Sequence, residues 1–130
     1  MSREILFKAK REDNGEWVEG YYQKRFYLDG SEQHLIFWSK SYAVWEYIEI
    51  NPDTLCQYTG LTDINGKKIW ENDILELLNE DGYFKCEWEE DTARFILNGD
   101  GLTVDFDNYW SHQVESVGNI FDNAELLEVE

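Results

Sequence analysis

Gly60, Gly66, Lys67 and Lys68 stand close together, and glycines beside lysines are the raw material of a phosphate loop. Such a loop reads GxxxxGK[ST] and opens a helix, so that backbone N–H groups and the lysine cradle the phosphates. Here Gly66-Lys67 runs into Lys68-Ile69-Trp70, a strand-like sequence, and phosphate binding is not expected. Asp63-Ile64-Asn65-Gly66 begins like a calcium loop, which requires glycine at its sixth position and a bidentate glutamate at its twelfth. Counted from Asp63, those positions hold Lys68 and Ile74, which leaves an Asn-Gly turn. Asp100, Asp105 and Asp107 are spaced like a metal cluster, and Asp105 and Asp107 share a strand face. No histidine lies near them and Phe106 between them faces a core, so they read as a solvated face.

The two histidines, His34 and His112, have no cysteine or histidine at ligand spacing, which disfavours zinc. Cys56 and Cys86 sit thirty positions apart without a CxxC, both in apolar strand sequence. A nucleophile needs a base and a carboxylate delivered by the fold. Neither cysteine has the local context of one, and two buried free thiols in a reducing cytoplasm are expected instead. No catalytic residue, no cofactor-binding residue and no metal ligand emerges from these tests. A protein that is not an enzyme is the expectation.

The elements that would position such groups are short and alternating. Ile5, Phe7 and Ala9 alternate with Leu6, Lys8 and Lys10, as a strand with one wet face does. Glu12-Asp13-Asn14-Gly15 is a hairpin turn, because Asn-Gly readily supplies positive φ. A return strand follows over Trp17 to Tyr22, and Asp29-Gly30-Ser31 turns the chain again. His34 to Trp38 and Val44 to Ile50 read as strands, the latter apolar on both faces. Asn51-Pro52-Asp53-Thr54 breaks the run, since Pro52 has no N–H to give a ladder.

Beyond residue 55 the same rhythm continues. Strands are expected over Lys68–Trp70 and from Asp73 to Leu78. One with Phe84, Cys86 and Trp88 on a single face follows, and then one with Phe95 and Leu97. Leu102, Val104 and Phe106 alternate next, and Val114 to Ile120 is the last strand. Asn123 to Leu127 reads as a single helical turn. Strands every 8–12 residues with turns between them mean an all-β fold. The spacing from residue 56 onward fits a small five- or six-stranded barrel over 56–130, with an N-terminal β-hairpin and strand extension over 1–55 packed on it. The two parts are expected to form one cooperative unit.

Composition narrows the function classes. The chain has 130 residues, enough for one domain with a real core, and its 16% aromatic content argues against disorder despite the charge. Its net charge is −17, placed unevenly: residues 1–50 carry seven Lys/Arg against nine Asp/Glu, and residues 51–130 four against nineteen. A surface that acidic repels phosphate backbones, so no direct nucleic-acid binding is expected. No basic segment leads into a long apolar run at the N-terminus, and no apolar run reaches the roughly 18 residues of a membrane span. Neither a signal peptide nor a membrane association is expected.

One long stretch, QYTGLTDINGKKIWENDIL over 57–75, resembles the YopX family of phage and prophage proteins. So do Arg3-Glu4-Ile5-Leu6-Phe7, Ile48 to Thr54, and the closing Val117-Gly118-Asn119-Ile120-Phe121-Asp122-Asn123-Ala124-Glu125-Leu126, all in the family's order. Two positions depart from the pattern: Asn72 stands where the family usually has glycine before Asp73, and Cys56 stands where it usually has glycine before Gln57. Asn72 is a mild departure, because asparagine also tolerates left-handed φ. The resemblance implies an all-β protein with an SH3-type barrel in its C-terminal part and a location in the cytoplasm of a bacterial host. It carries over no catalytic residues.

A non-enzymatic protein–protein interaction module is therefore the leading expectation, its partner an unknown host or phage protein. Trp17, Tyr21, Tyr22, Trp45, Trp70, Tyr83, Tyr109 and Trp110 exceed what one small core absorbs, and aromatics are enriched at interfaces. Homo-oligomerisation would satisfy the same surplus. The alternative is an acidic DNA mimic that occupies a host nucleic-acid-binding protein with rows of carboxylates. For the 57–75 stretch the expectation is structural: a hairpin in which Gly60 and Gly66 take unusual backbone conformations and Asp73 braces the following turn.

Overall fold

Alternation of apolar and polar residues sets most of the described chain into antiparallel strands, and the computed structural model describes residues 5–78, 82–99, 102–106 and 113–127. The fold is all-β, with helix limited to two short 3-10 turns over Pro52–Thr54 and Ala124–Leu127. The chain divides into two compact units, Met1–Gln57 and Tyr58–Glu130.

The first unit holds β1 (Phe7–Lys10), β2 (Trp17–Phe26), β3 (Glu32–Ser41) and β4 (Val44–Glu49), followed by the start of β5 (Cys56–Thr62). The spatial order is β4-β3-β2-β1, with β5 on the far side of β1. The turn before β2 has Gly15 at φ 74°, as the Asn-Gly pair requires. The second strand outruns its expected length and changes partner along its course. Trp17–Gly20 pair with β1, and Tyr21–Phe26 pair with β3. Gly20 sits at the changeover, where a side chain is excluded: a Cβ there would lie 2.1 Å from the carbonyl oxygen of Phe37.

One face of these strands makes the core, with Ala9, Ile36 and Ile50 at its centre and Phe7, Val18, Tyr22, Trp38, Ile48 and Leu55 around them. Burying each large aliphatic or aromatic side chain contributes about 1.5–3 kcal/mol. The break after β4 is also built to be stable. Asn51 Oδ1 accepts the Asp53 N–H at 3.0 Å, and the Thr54 hydroxyl donates to the Asn51 carbonyl at 2.7 Å while accepting the Lys10 N–H at 2.8 Å. Arg11 and Ile50 form an isolated antiparallel bridge, so the end of β4 returns to the end of β1.

The second unit continues β5 and adds β6 (Lys68–Trp70), β7 (Asp73–Leu77), β8 (Tyr83–Glu89), β9 (Arg94–Gly99), β10 (Leu102–Asp105) and β11 (Val114–Asn119). Five of these form a sheet in the order β10-β9-β8-β7-β11, and β6 pairs with β5. No closed barrel is formed among the described strands. β7 to β10 pair in sequence as successive hairpins, while β11 returns to the outer side of β7. Ile69, Leu75, Leu77, Phe84, Cys86, Phe95, Leu97, Phe106 and Val114 make the core.

Two strand faces differ from the alternation. Ile96, between Phe95 and Leu97, is buried as well, so β9 is covered on both sides. Trp88 lies at the end of β8 and is 41% exposed despite sharing a face with Phe84 and Cys86; it packs edge-on against Phe95.

Candidate functional site

The stretch over 57–75 and the closing segment meet in a knot of buried polar groups. Asp63 and Asp73 are both buried, and so is Ser116. Asp63 turns the chain onto itself: its Oδ1 accepts the N–H groups of Asn65 and Lys67, each at 2.9 Å. Its Oδ2 accepts the N–H of Ser116 at 3.0 Å. Burial alone would raise the pKa of this carboxyl. The three N–H donors, from Ser116, Lys67 and Asn65, together with the nearby Lys67 charge, outweigh that and hold it below the ordinary aspartate range. Asp73 braces the next turn, accepting the Trp70 N–H at 2.9 Å and the Ser116 hydroxyl at 3.4 Å.

The backbone around these carboxylates is shaped to match. Gly60 and Gly66 lie at φ 88° and 80°. Asn72 takes φ 73°, the left-handed conformation that the glycine of the resembled pattern would take. Its carbonyl accepts the Ile120 N–H at 3.1 Å. In the closing segment Asn119 Oδ1 accepts from Phe121 and Asp122, both at 2.9 Å, and Asn123 Oδ1 accepts from the Asn119 N–H at 3.2 Å. A Cβ at Gly118 would lie 2.4 Å from Asn123 Oδ1, so the glycine makes room for that bond. These motif residues use their hydrogen-bonding capacity on the fold itself.

The other residues singled out in the sequence are likewise engaged. Lys68 lies over the Tyr58 ring, 5.8 Å from its centroid. Asp105 pairs with Arg94 at 2.7 Å; Asp100, Asp107 and His112 lie outside the described residues. His34 shares a hydrogen bond through Nδ1 with the Tyr22 hydroxyl at 2.5 Å, its ring stacked on that of Tyr22, with Glu32 3.7 Å from Nε2. Cys56 and Cys86 are buried thiols outside any disulfide, and the Cys56 thiol donates to the Thr54 carbonyl. Among the described residues no group of three or more His, Cys, Asp or Glu is placed to hold a metal ion, and no helix is long and apolar enough to cross a membrane.

The aromatic surplus divides. Trp70 is buried; Trp17, Tyr22 and Tyr83 are half-buried; Tyr21 and Trp45 are exposed; Tyr109 and Trp110 lie outside the described residues. In the first unit, the strand register sets Tyr21 beside Phe37 and Phe37 beside Tyr47 on the face opposite the core. Phe37 and Tyr47 pack at 5.1 Å between centroids, and Tyr21 and Trp45 at 5.9 Å. Arg25 lies over both Phe37 and Tyr47, at 5.5 and 5.2 Å. Lys8 and Lys10 lie over Trp17 on the same face. Trp45 and Tyr47 remain 53% and 55% exposed. An exposed aromatic ladder capped by cations is suited to contact, and it is the candidate site of this chain. Arg25 was missed in the sequence because its partners arrive from two other strands.

A family model described as YopX protein matches residues 6–128. A comparison with curated proteins gives no match. Among solved structures, protein EF1440 from Enterococcus faecalis is similar over 98% of this chain and 100% of its own, with a TM-score of 0.61 and 24% identity. At that identity the likeness speaks for the fold alone.

Proposed function

The chain belongs to the YopX family, and on that footing we propose that it is a non-enzymatic protein–protein interaction module, encoded by a phage or prophage and acting in the cytoplasm of the bacterial host. The observation that carries this reading is the ladder of exposed Tyr21, Tyr47 and Trp45 with half-buried Phe37, Arg25 lying over Phe37 and Tyr47. Aromatic residues and arginine are the side chains most enriched where binding energy concentrates. The SH3-like reading of the second unit belongs to the same proposal; its supports are its antiparallel strands and the 3-10 turn over Ala124–Leu127.

The test is capture of cross-linked partners from host cells by the wild-type chain and by a Tyr21→Ser/Trp45→Ser variant. A partner held by the wild type and lost by the folded variant is the expected result. A partner held equally by both would remove the ladder as the site.

The acidic DNA-mimic reading stands second, on four basic against nineteen acidic residues over 51–130. It requires that the chain displace duplex DNA from a host DNA-binding protein, and that added salt weaken the displacement steeply.

A further inference from the structure

The open part of the β4 edge carries an inference that rests on the binding-module reading and narrows it. The Ile50 N–H donates to the His34 carbonyl. With Ile36 opposite Ile48 and Trp38 opposite Glu46, this sets the backbone groups of Glu46, Ile48 and Ile50 toward β3. The N–H and C=O groups of Trp45, Tyr47 and Glu49 therefore point away from the sheet, and β4 is the last strand in its order. The Glu49 carbonyl is taken by the Glu12 N–H at 3.0 Å, where the chain around Arg11 closes over the end of β4. Among the described residues nothing takes the outward groups of Trp45 and Tyr47.

Along this open length lies a hollow of about 440 Å³, lined by Arg11, Trp38, Trp45, Glu46, Tyr47 and Ile48. It is a seam next to the Arg11–Ile50 bridge, and among the described residues no strand fills it. Val44–Glu49 contains no proline, lysine or glycine; its charges are Glu46 and Glu49, and the β3–β4 register shifts only between Ser39 and Ser41.

We infer that the seam accepts an extended segment of a partner protein as an added strand beside β4, with apolar residues turned inward and basic residues outward. An antiparallel segment would exchange both backbone hydrogen bonds with Trp45 and both with Tyr47. Its inward side chains would meet Trp38 and Ile48, which are apolar and half-buried. Its outward side chains would meet the Trp45 ring, which attracts cations as Tyr47 attracts Arg25. Charge favours a basic strand. Glu12, Asp13, Glu46 and Glu49 lie in or beside the seam against Arg11 and Lys40; Arg11 is bound to Asp13 and Lys40 to Glu46, which leaves Glu12 and Glu49 as the local excess. A second copy would meet this same acidic rim with its own, setting Glu46 against Glu46 in the register that pairs Trp45 with Tyr47.

The test uses a blocked ten-residue peptide of alternating valine and lysine, titrated into the full chain and followed by amide NMR. The expected result is shifted and exchange-protected amides at Trp45 and Tyr47. Affinity should fall at least tenfold for Tyr47→Pro, which removes an outward N–H that β3 does not use. It should fall as far for the same peptide N-methylated at its lysines, whose N–H groups face Trp45 and Tyr47, a control that leaves the protein untouched. Unperturbed β4 amides, or equal binding of the N-methylated peptide or of a valine–glutamate peptide, would overturn the inference. So would a free protein that sediments as a dimer with these amides already protected, since the occupant would then be a second copy. A natural partner captured equally by wild type and Tyr47→Pro would overturn the seam and leave the binding module standing.

Discussion

The carboxylate of Asp63 accepts the backbone N–H of Ser116 at 3.0 Å across fifty-three positions of sequence. Two further N–H groups, of Asn65 and Lys67, point at its other oxygen. Asp63→Asn is isosteric and still destabilising, because either orientation of the amide sets its NH2 against a backbone donor. A loss of about 1–3 kcal/mol is expected, read from the urea midpoint at neutral pH. An unchanged midpoint would mean that the Ser116 contact contributes nothing.

The same carboxylate sets an acid limit. Its pKa is lowered in the folded chain, so the unfolded chain binds the proton more readily. The stabilisation is present above the ordinary aspartate value of about 3.9 and is lost as pH falls through the lower native value. Wild-type stability should therefore decline below about pH 4 more steeply than that of Asp63→Asn, and parallel curves would refute this assignment.

Two glycines should fail for different reasons. Gly66 has φ 80° and nothing within 4 Å of a built Cβ, so Gly66→Val is strained only in its backbone, by about 1–2 kcal/mol. Gly20 has ordinary φ, but its Cβ would strike the Phe37 carbonyl at 2.1 Å. Gly20→Ala adds one methyl and should cost more than Gly66→Val, beyond the about 1–3 kcal/mol of ordinary overpacking. Thermal unfolding of the two variants ranks them; the reverse order would contradict the close approach of β2 and β3.

Asn72 holds left-handed φ at 73°. Asn72→Gly should shift stability by about 1 kcal/mol or less, whereas Asn72→Val should lower it by about 1–3 kcal/mol. Equal unfolding midpoints for the two variants would remove the backbone argument.

Cys56 and Cys86 are buried thiols that no disulfide joins. A thiol reagent such as dithionitrobenzoate should leave the native chain unreacted on the minutes scale and titrate two thiols in denaturant. Rapid native reaction at either position would show that its strand opens.

Most of the local structure was legible because it is written in nearest neighbours. Asn14-Gly15, Asp63 to Gly66 and Asn72-Asp73 turn the chain through backbone preferences that each short segment carries alone. Alternation assigned β1, β8 and β10, and the bracing role of Asp73 followed from the turn expected at Asn72-Asp73, where it accepts the Trp70 N–H. The family was legible for the same reason: the residues of its long motif are the ones that make these turns.

Tertiary structure decided what depends on partners from afar. That Ser116 answers both Asp63 and Asp73 has no sequence signature, since the contacts span 53 and 43 positions. The double burial of Ile96 escaped a two-residue period because that period does not report whether one side of a sheet or both are covered. The cation over Phe37 and Tyr47 and the open length of β4 arise from register, which the sequence constrains only through the sum of its pairings. Composition alone determined that the chain is acidic and rich in aromatic residues. Only the register of β2, β3 and β4 decided which rings meet solvent and which backbone groups of Trp45 and Tyr47 are left to receive a strand.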